Sequence, residues 1–274
     1  MNAASVATVV QARCNSSRLP RKVLLPLGEG TVLEAMLERV ARARRCGTLV
    51  VATTTTPADD EIEALCGRAA VPCYRGDPED LLDRHYQVAR ALGAAHVVKI
   101  PSDCPLIDPA VIDRVLGVYL DGPGRWDYVS NLHPATYPDG NDVEVCSFPA
   151  LESAWRAASR PFEREHTTPF LWERPEQFRI GNVTWEAGRD LSRSHRVVLD
   201  YVEDYEVIRR AFDVLSLTHP RFGVRDIVRY LDTHPEVAGL NARRRGVNWY
   251  REHLAELRTV TAADTRLETE EAHS

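Results

Sequence analysis

Short Val-rich apolar runs alternate with amphipathic stretches through the first half of the chain. Val6–Val10, Leu49–Ala52, Val71–Tyr74 and Val97–Ile100 are bounded by polar or turn residues, which predicts buried strands. Between them Leu33, Met36, Leu37 and Val40 fall at i, i+3, i+4 and i+7, and Ile62, Leu65, Cys66 and Ala69 repeat the spacing. Each set forms one core-facing helix stripe. Alternating strand and helix signals predict an α/β sheet with crossover helices. From about Trp126 the order loosens. DYVSN and DVEVCS read as strands around a turn at Tyr137-Pro138-Asp139-Gly140, and Phe178–Thr184 and Arg196–Leu199 read as further strands of a mixed sheet. After Asp204 the chain turns helical, with a last helix expected over Val247–Leu257, and the final TAADTRLETEEAHS is polar, acidic and expected to fray. The expected organisation is an α/β domain over residues 1–215, a helical extension over 216–258 and a disordered tail over 259–274.

Composition narrows the function classes. With 274 residues the chain can bury a substantial core, and 44% apolar with 27% charged residues is ordinary for a soluble globular protein. The N-terminus has no basic stretch ahead of its apolar run, and no run reaches the roughly 20 apolar residues of a membrane span, so a cytoplasmic location without membrane contact is expected. Six cysteines, at 14, 46, 66, 73, 104 and 146, show neither CxxC nor zinc-finger spacing. A net charge of −6 with dispersed Lys and Arg is a poor footprint for a nucleic-acid partner.

Three segments carry candidate chemistry. QARCNSSRLPRK (11–22) follows the first strand and sets Arg13, Arg18, Arg21 and Lys22 beside Ser16 and Ser17. Ligands of α/β sheets sit outside the carboxyl ends of the strands, so a basic, hydroxyl-bearing loop there suits a polyphosphate better than bare solvent. It lacks the GxxxxGK[ST] pattern of a P-loop. KIPSDCPLIDP (99–109) ends another core strand on Asp103, a candidate Mg²⁺ ligand, while Asp108 ahead of Pro109 suits a helix cap. RVVLDYVED (196–204) repeats the design and delivers Asp200, either a helper on the metal or a cap of the following helix.

ARCNSSRLPRK resembles the ARxxSxRLPxK motif of the cytidylyltransferases that activate 3-deoxy-manno-octulosonate and sialic acids. CYRGDPEDLLDRHYQVA, KIPSDCPLIDP, YPDGNDVEV and REHTTPF extend the likeness, most closely to the spore-coat polysaccharide biosynthesis branch; HPEVAGLNA adds to it. The resemblance implies a three-layer Rossmann-like nucleotidyltransferase of the nucleotide-diphospho-sugar transferase type, with a mixed sheet and C-terminal helices. It implies CMP transfer from CTP to a small acidic acceptor, an acidic sugar, with Mg²⁺ as cofactor and a homodimer as the assembly. Carried over by residue, Arg13 and Lys22 match the triphosphate-binding pair, with Ser17 and Arg18 in the same loop, and Lys22, Arg13 and Asp103 form the catalytic set. Asp103 and Asp200 match the metal carboxylates, and Arg75, Gly76 and Thr53 the cytidine pocket. Arg21 departs from the family, which commonly has Gly before the loop Lys, and Ser102 stands where Gly or Ala is usual.

On the acceptor side the residues leave alternatives open. His166 either orients the acceptor, serves as a base, or packs in a hydrogen-bonded structural role. Asp142 and Glu144 share one face of a strand, contacting the acceptor or forming the solvent face of an edge. A phosphonate or phosphorylated small molecule is the alternative acceptor. A glycosyltransferase of related fold and a non-catalytic nucleotide-binding protein are the rival classes; the absence of a strand-end DxD pair weighs against the first and the intact Lys22, Asp103 and Asp200 against the second.

Overall fold

The computed structural model describes residues 5–266. Its strands are β1 (Val6–Gln11), β2 (Pro26–Leu27), β3 (Gly30–Thr31), β4 (Thr48–Thr54), β5 (Cys73–Gly76), β6 (His96–Pro101), β7 (Tyr128–Ser130), β8 (Glu144–Ser147) and β9 (Ile180–Asn182). The helices are α1 (Val32–Ala41), α2 (Asp60–Arg68), α3 (Leu81–Leu92), α4 (Pro109–Leu120), α5 (Phe148–Ala157), α6 (Pro161–His166), α7 (Pro169–Trp172), α8 (Val202–Thr218), α9 (Val224–Thr233), α10 (Pro235–Ala238) and α11 (Tyr250–His253). Seven strands form one sheet in the order β5-β4-β1-β6-β8-β7-β9. The first four run parallel, β8 is antiparallel to both of its neighbours, and β9 is parallel to β7.

Strand alternation divides the core into two layers. On β1, Val10 packs with Leu33, Met36, Ile62 and Ile112 from α1, α2 and α4, while Ala7 and Val9 pack with Leu82, Leu151 and Phe162 from α3, α5 and α6. Helices therefore cover both faces, the three-layer α/β fold expected for a nucleotide-diphospho-sugar transferase. A third apolar cluster joins Val207, Ile208 and Ala211 of α8 to Ile227 and Leu231 of α9, over Leu27, Val32 and Leu199. Thr31 caps α1 in a reciprocal box with Glu34, and Asp108 caps α4 through the Ala110 N–H, as its place before Pro109 suggested. Among the described residues no helix is long and apolar enough to cross a membrane.

Four expectations change. The strand foreseen at Val71–Tyr74 starts at Cys73, because the Val71 N–H still bonds to the Cys66 carbonyl in finishing α2. Arg196–Leu199 is extended but outside the sheet, held by a bridge between Arg196 and Asp139 and by the Leu199 N–H on the Asp103 carbonyl. The helix over Val247–Leu257 shrinks to α11: Trp249 and Tyr250 are adjacent yet both enter one aromatic cluster, whereas a continuous helix turns neighbours about 100° apart. The frayed tail from 259 is packed as far as Arg266. Buried Glu173 accepts from the Arg258 and Thr259 N–H groups at 2.6 and 2.8 Å, Val260 is buried, and the Arg266 N–H reaches the Gly246 carbonyl. The remainder, 267–274, lies outside the described residues.

Burial makes one helix residue a determinant of acid stability. His85 on α3 is fully buried, with Nδ1 bonded to the Leu81 carbonyl at 2.9 Å and Nε2 without a partner. Burial lowers its pKa to about 3. A folded pKa below the unfolded value of about 6.5 means that protons bind the unfolded chain first. This contribution is present above pH 6.5 and is lost as pH falls toward 3, by up to about 1.4 kcal/mol per pH unit. Melting temperatures from pH 7 to pH 4 should therefore decline less steeply in His85→Asn than in wild type; equal slopes would show that His85 does not carry the acid sensitivity.

Candidate functional site

β1 and β6 end side by side, with Gln11 in register with Pro101, so the loops that follow them flank a common opening. The opening is a cleft of about 390 Å³ whose lining includes Arg13, Ser17, Arg18 and Lys22 from the first loop, Asp103 from the second, and Asp142, Glu144, His166 and Asp200. These nine sequence-derived candidates come together from segments up to 187 positions apart in the chain, as Arg13 and Asp200 are.

The first loop is shaped from within. Buried Asp59 accepts the Cys14 N–H at 2.7 Å and is hydrogen bonded to Thr54 and Thr56, fixing the loop's base. Arg21 adopts φ 59° and ψ 21°, the left-handed conformation in which glycine carries no Cβ penalty. Here the Arg21 side chain turns outward to Glu61 at 2.6 Å. Lys22 then points inward: its Nζ lies 2.6 Å from the Leu199 carbonyl, 2.9 Å from Asp200 Oδ1 and 3.7 Å from Asp103 Oδ2.

Asp200 owes its position to residues the sequence reading passed over. Asp204, fully buried, accepts the backbone N–H groups of Asp200 and Tyr201 at 3.1 and 3.0 Å and so caps α8 itself. The Asp200 side chain is thereby free of capping and is bonded by Lys22 and by Arg18 at 2.7 Å. Arg196 is buried and forks onto both oxygens of Asp204 at 2.9 Å, reaching Asp139 at 2.8 Å and Asp200 at 3.5 Å. Burial opposes its charge, and the carboxylates of Asp139, Asp204 and Asp200 more than restore it, so its pKa is raised. Burial also opposes the charge of Asp200, yet Lys22 and Arg18 hold its carboxyl far below the usual range. Gly140 completes the support: at φ 105° it lies against the Val197–Val198 backbone, where a Cβ would come within 2.6 Å. The Pro-Asp-Gly turn thus packs backbone to backbone on the segment that carries Asp200.

The donor set fits a hard divalent cation. A single cation, the Lys22 ammonium, already sits between Asp103 and Asp200, so both carboxylates address one point. Among the described residues no group of three or more His, Cys, Asp or Glu is disposed to hold a metal by itself. A pair of carboxylates completed by substrate phosphates and water is the arrangement typical of Mg²⁺.

On the far wall, β8 is an interior strand, so Glu144 is not on a solvent face. It is buried and accepts from Lys99 at 2.5 Å, the Tyr128 hydroxyl at 2.6 Å and the Thr168 hydroxyl at 2.5 Å. Burial disfavours its charge, but Lys99 and these donors keep its pKa lowered. Asp142 has no such partners among the described residues; burial, with Asp139, Asp103 and Glu144 adding, raises its pKa well above the ordinary value. His166 stacks on Trp249 at 3.8 Å and 14°, and burial lowers its pKa to about 3, which favours packing over service as a base near neutral pH.

Three predicted contacts lie away from the cleft. Thr53 is fully buried within β4, and Arg75 bonds outward to the carbonyls of Thr54 and Thr56 and to Asp60 and Glu63. Gly76 serves indirectly, since a Cβ there would meet Arg84 Cγ at 2.8 Å. Arg84 does line the cleft, buried and with Nε unpartnered. Its sequence signal was a charge on the apolar stripe Leu81, Arg84, His85 and Val88. Asn248, Trp249, Tyr250 and His253 also line the cleft, beyond any motif that had been singled out.

Comparison with known proteins follows this geometry. The cytidylyltransferase family model matches residues 7–216. The spore coat polysaccharide biosynthesis protein SpsF of Bacillus subtilis is 27% identical over 235 residues, 84% of this chain and 95% of that protein. A 3-deoxy-manno-octulosonate cytidylyltransferase of Trichlorobacter lovleyi is 33% identical over 119 residues, 43% of this chain and 46% of that one. A solved cytidylyltransferase from Leptospira borgpetersenii superposes with a TM-score of 0.82 at 30% identity, covering 86% of this chain and 97% of the other. With a match over most of its length and a cleft formed where that fold binds its ligands, the chain belongs to the cytidylyltransferase family.

Proposed function

We propose that this enzyme transfers CMP from CTP to an acidic sugar, with Mg²⁺, and releases pyrophosphate. The observation that carries the reading is the convergence of Arg18 and Lys22 with Asp103 and Asp200 at the carboxyl edge of the sheet. Arg13, Arg18 and Lys22 bind the triphosphate, and Asp103 and Asp200 hold the Mg²⁺, which supplies charge neutralisation on the phosphate oxygens. As CTP enters, Lys22 exchanges its carboxylate contacts for phosphate oxygens. The acceptor oxygen attacks the α-phosphorus in line, the bond from that phosphorus to the pyrophosphate oxygen breaks, and the acceptor proton passes to water. Such a displacement needs positioned charge rather than a covalent enzyme intermediate. A homodimer is the assembly this reading carries, and sedimentation at working concentration tests it.

Thermal stability with each nucleoside triphosphate, with and without Mg²⁺, tests the nucleotide half without an acceptor. Ligand at ~100 times its dissociation constant adds about 2.7 kcal/mol to stability. CTP should raise the melting temperature selectively, and more with Mg²⁺. No shift with any triphosphate, or a preference for a nucleotide-sugar, would move the chain toward a glycosyltransferase or a scaffold.

A further inference from the structure

We propose that the C-terminal segment Val247–His253 selects the acceptor, reading a hydroxyl-bearing sugar ring through Trp249 and Tyr250. The inference rests on the cytidylyl-transfer reading above. The family match ends at residue 216, yet this later segment forms one wall of the cleft. The wall is fastened at both ends. Arg196 donates to the Val247 carbonyl at 3.2 Å, and Glu173 holds the Arg258 and Thr259 N–H groups. A wall tied in this way presents its side chains in fixed positions, which lowers the ordering cost of binding.

Chemistry on that wall matches a sugar. Trp249 lies flat on His166 and 4.7 Å from the ring of Tyr250, and aromatic surface of this kind buries the C–H face of a pyranose. The Tyr250 hydroxyl and the Asp142 carboxylate line the same cleft, and neither makes a side-chain hydrogen bond or ion pair among the described residues. One offers a donor and the other an acceptor to sugar hydroxyls. Charge sorts the acceptors further. Asp139 and Glu144 face this space already paired with Arg196 and Lys99, and burial holds the Asp142 carboxyl toward its neutral form, so among the described residues the wall offers acceptors for sugar hydroxyls and no open pair of cations for a phosphonate or phosphate dianion. A single sugar carboxylate can still take a remaining donor of the Lys99 ammonium, which lines the same cleft.

The test compares full-length wild type with Trp249→Ala and the milder Tyr250→Phe. Pyrophosphate release is followed with CTP and Mg²⁺, using 3-deoxy-manno-octulosonate, N-acetylneuraminate or 2-aminoethylphosphonate as acceptor probe. Wild type should turn over a sugar acid and not the phosphonate. In both variants KM for the sugar acid should rise about tenfold or more. KM for CTP and the CTP-induced rise in melting temperature should stay at wild-type values. The proposal is overturned if the sugar KM is unchanged, if KM for CTP rises in step with it, or if a CTP-stabilised wild type turns over neither sugar acid. Absence of any CTP stabilisation sinks the cytidylyl-transfer reading itself, and that arm is read before an acceptor is added.

Discussion

With Asp103 replaced by Asn, pyrophosphate release is expected to fall on the order of 10³-fold, about 4 kcal/mol of transition-state stabilisation, while the fold is kept. Among the described residues Asp103 is one of two carboxylates paired with Lys22 at the cation point, so neutralising it halves the charge they offer a metal. Its structural duty lies in the backbone: the Asp103 carbonyl accepts the Leu199 N–H at 2.7 Å, a bond that Asn retains. The side chain is 29% exposed, and its nearest cation, Lys22, stands 3.7 Å away, so little stability rides on its charge. Steady-state rates and melting temperature on the same preparation check both halves. A near-normal rate would remove Asp103 from the metal site, whereas lost activity together with a collapsed melting curve would assign it a structural role.

Removing Arg196 should have the opposite signature, a large loss of stability. Arg196→Met leaves Asp204, fully buried, and Asp139 without their shared cation. Breaking a buried ion pair from one side costs about 3–5 kcal/mol, because the remaining charge is uncompensated. Against a total stability of roughly 5–15 kcal/mol, that is a major fraction. Urea midpoints at constant slope measure it. Arg196→Lys keeps the charge but not the fork onto Asp204, so it should fall between Met and wild type. A loss below about 1 kcal/mol for Arg196→Met would show that the carboxylates find other partners or take up protons. Because the same guanidinium lies 3.5 Å from Asp200, the Lys variant should also need more Mg²⁺ for half-maximal rate, a shift that general destabilisation does not produce.

The place of the first loop at the cleft was legible because its logic is local. A strand end, a run of cations and hydroxyls, and a Lys after a turn are all adjacent in sequence, and the rule that ligands sit at carboxyl edges gives them a place. The placements that differed each depended on a distant neighbour. Arg75 and Thr53 sit at strand ends as foreseen, but Asp60 and Glu63 on α2 draw the Arg75 guanidinium outward, and no local pattern states where that helix docks. Glu144 alternates with valines as an edge residue does. Only the order β6-β8-β7 makes its strand interior and surrounds its carboxylate with Lys99, Tyr128 and Thr168.

By itself the sequence determined the α/β alternation, the helix stripe of α1, the cap at Asp108, and the two acidic positions Asp103 and Asp200 beside a basic loop. Those features follow from periodicity and from backbone chemistry within a few residues, which is information the chain carries locally. Tertiary structure alone decided that Arg196–Leu199 stays outside the sheet, that Asp204 rather than Asp200 caps α8, that Arg196 joins three carboxylates, and that residues 247–253 close the cleft. An extended apolar run states that it will be buried but not which edge will take it. A buried charge is tolerable only once partners from elsewhere in the chain surround it, so its role exists only in the folded molecule.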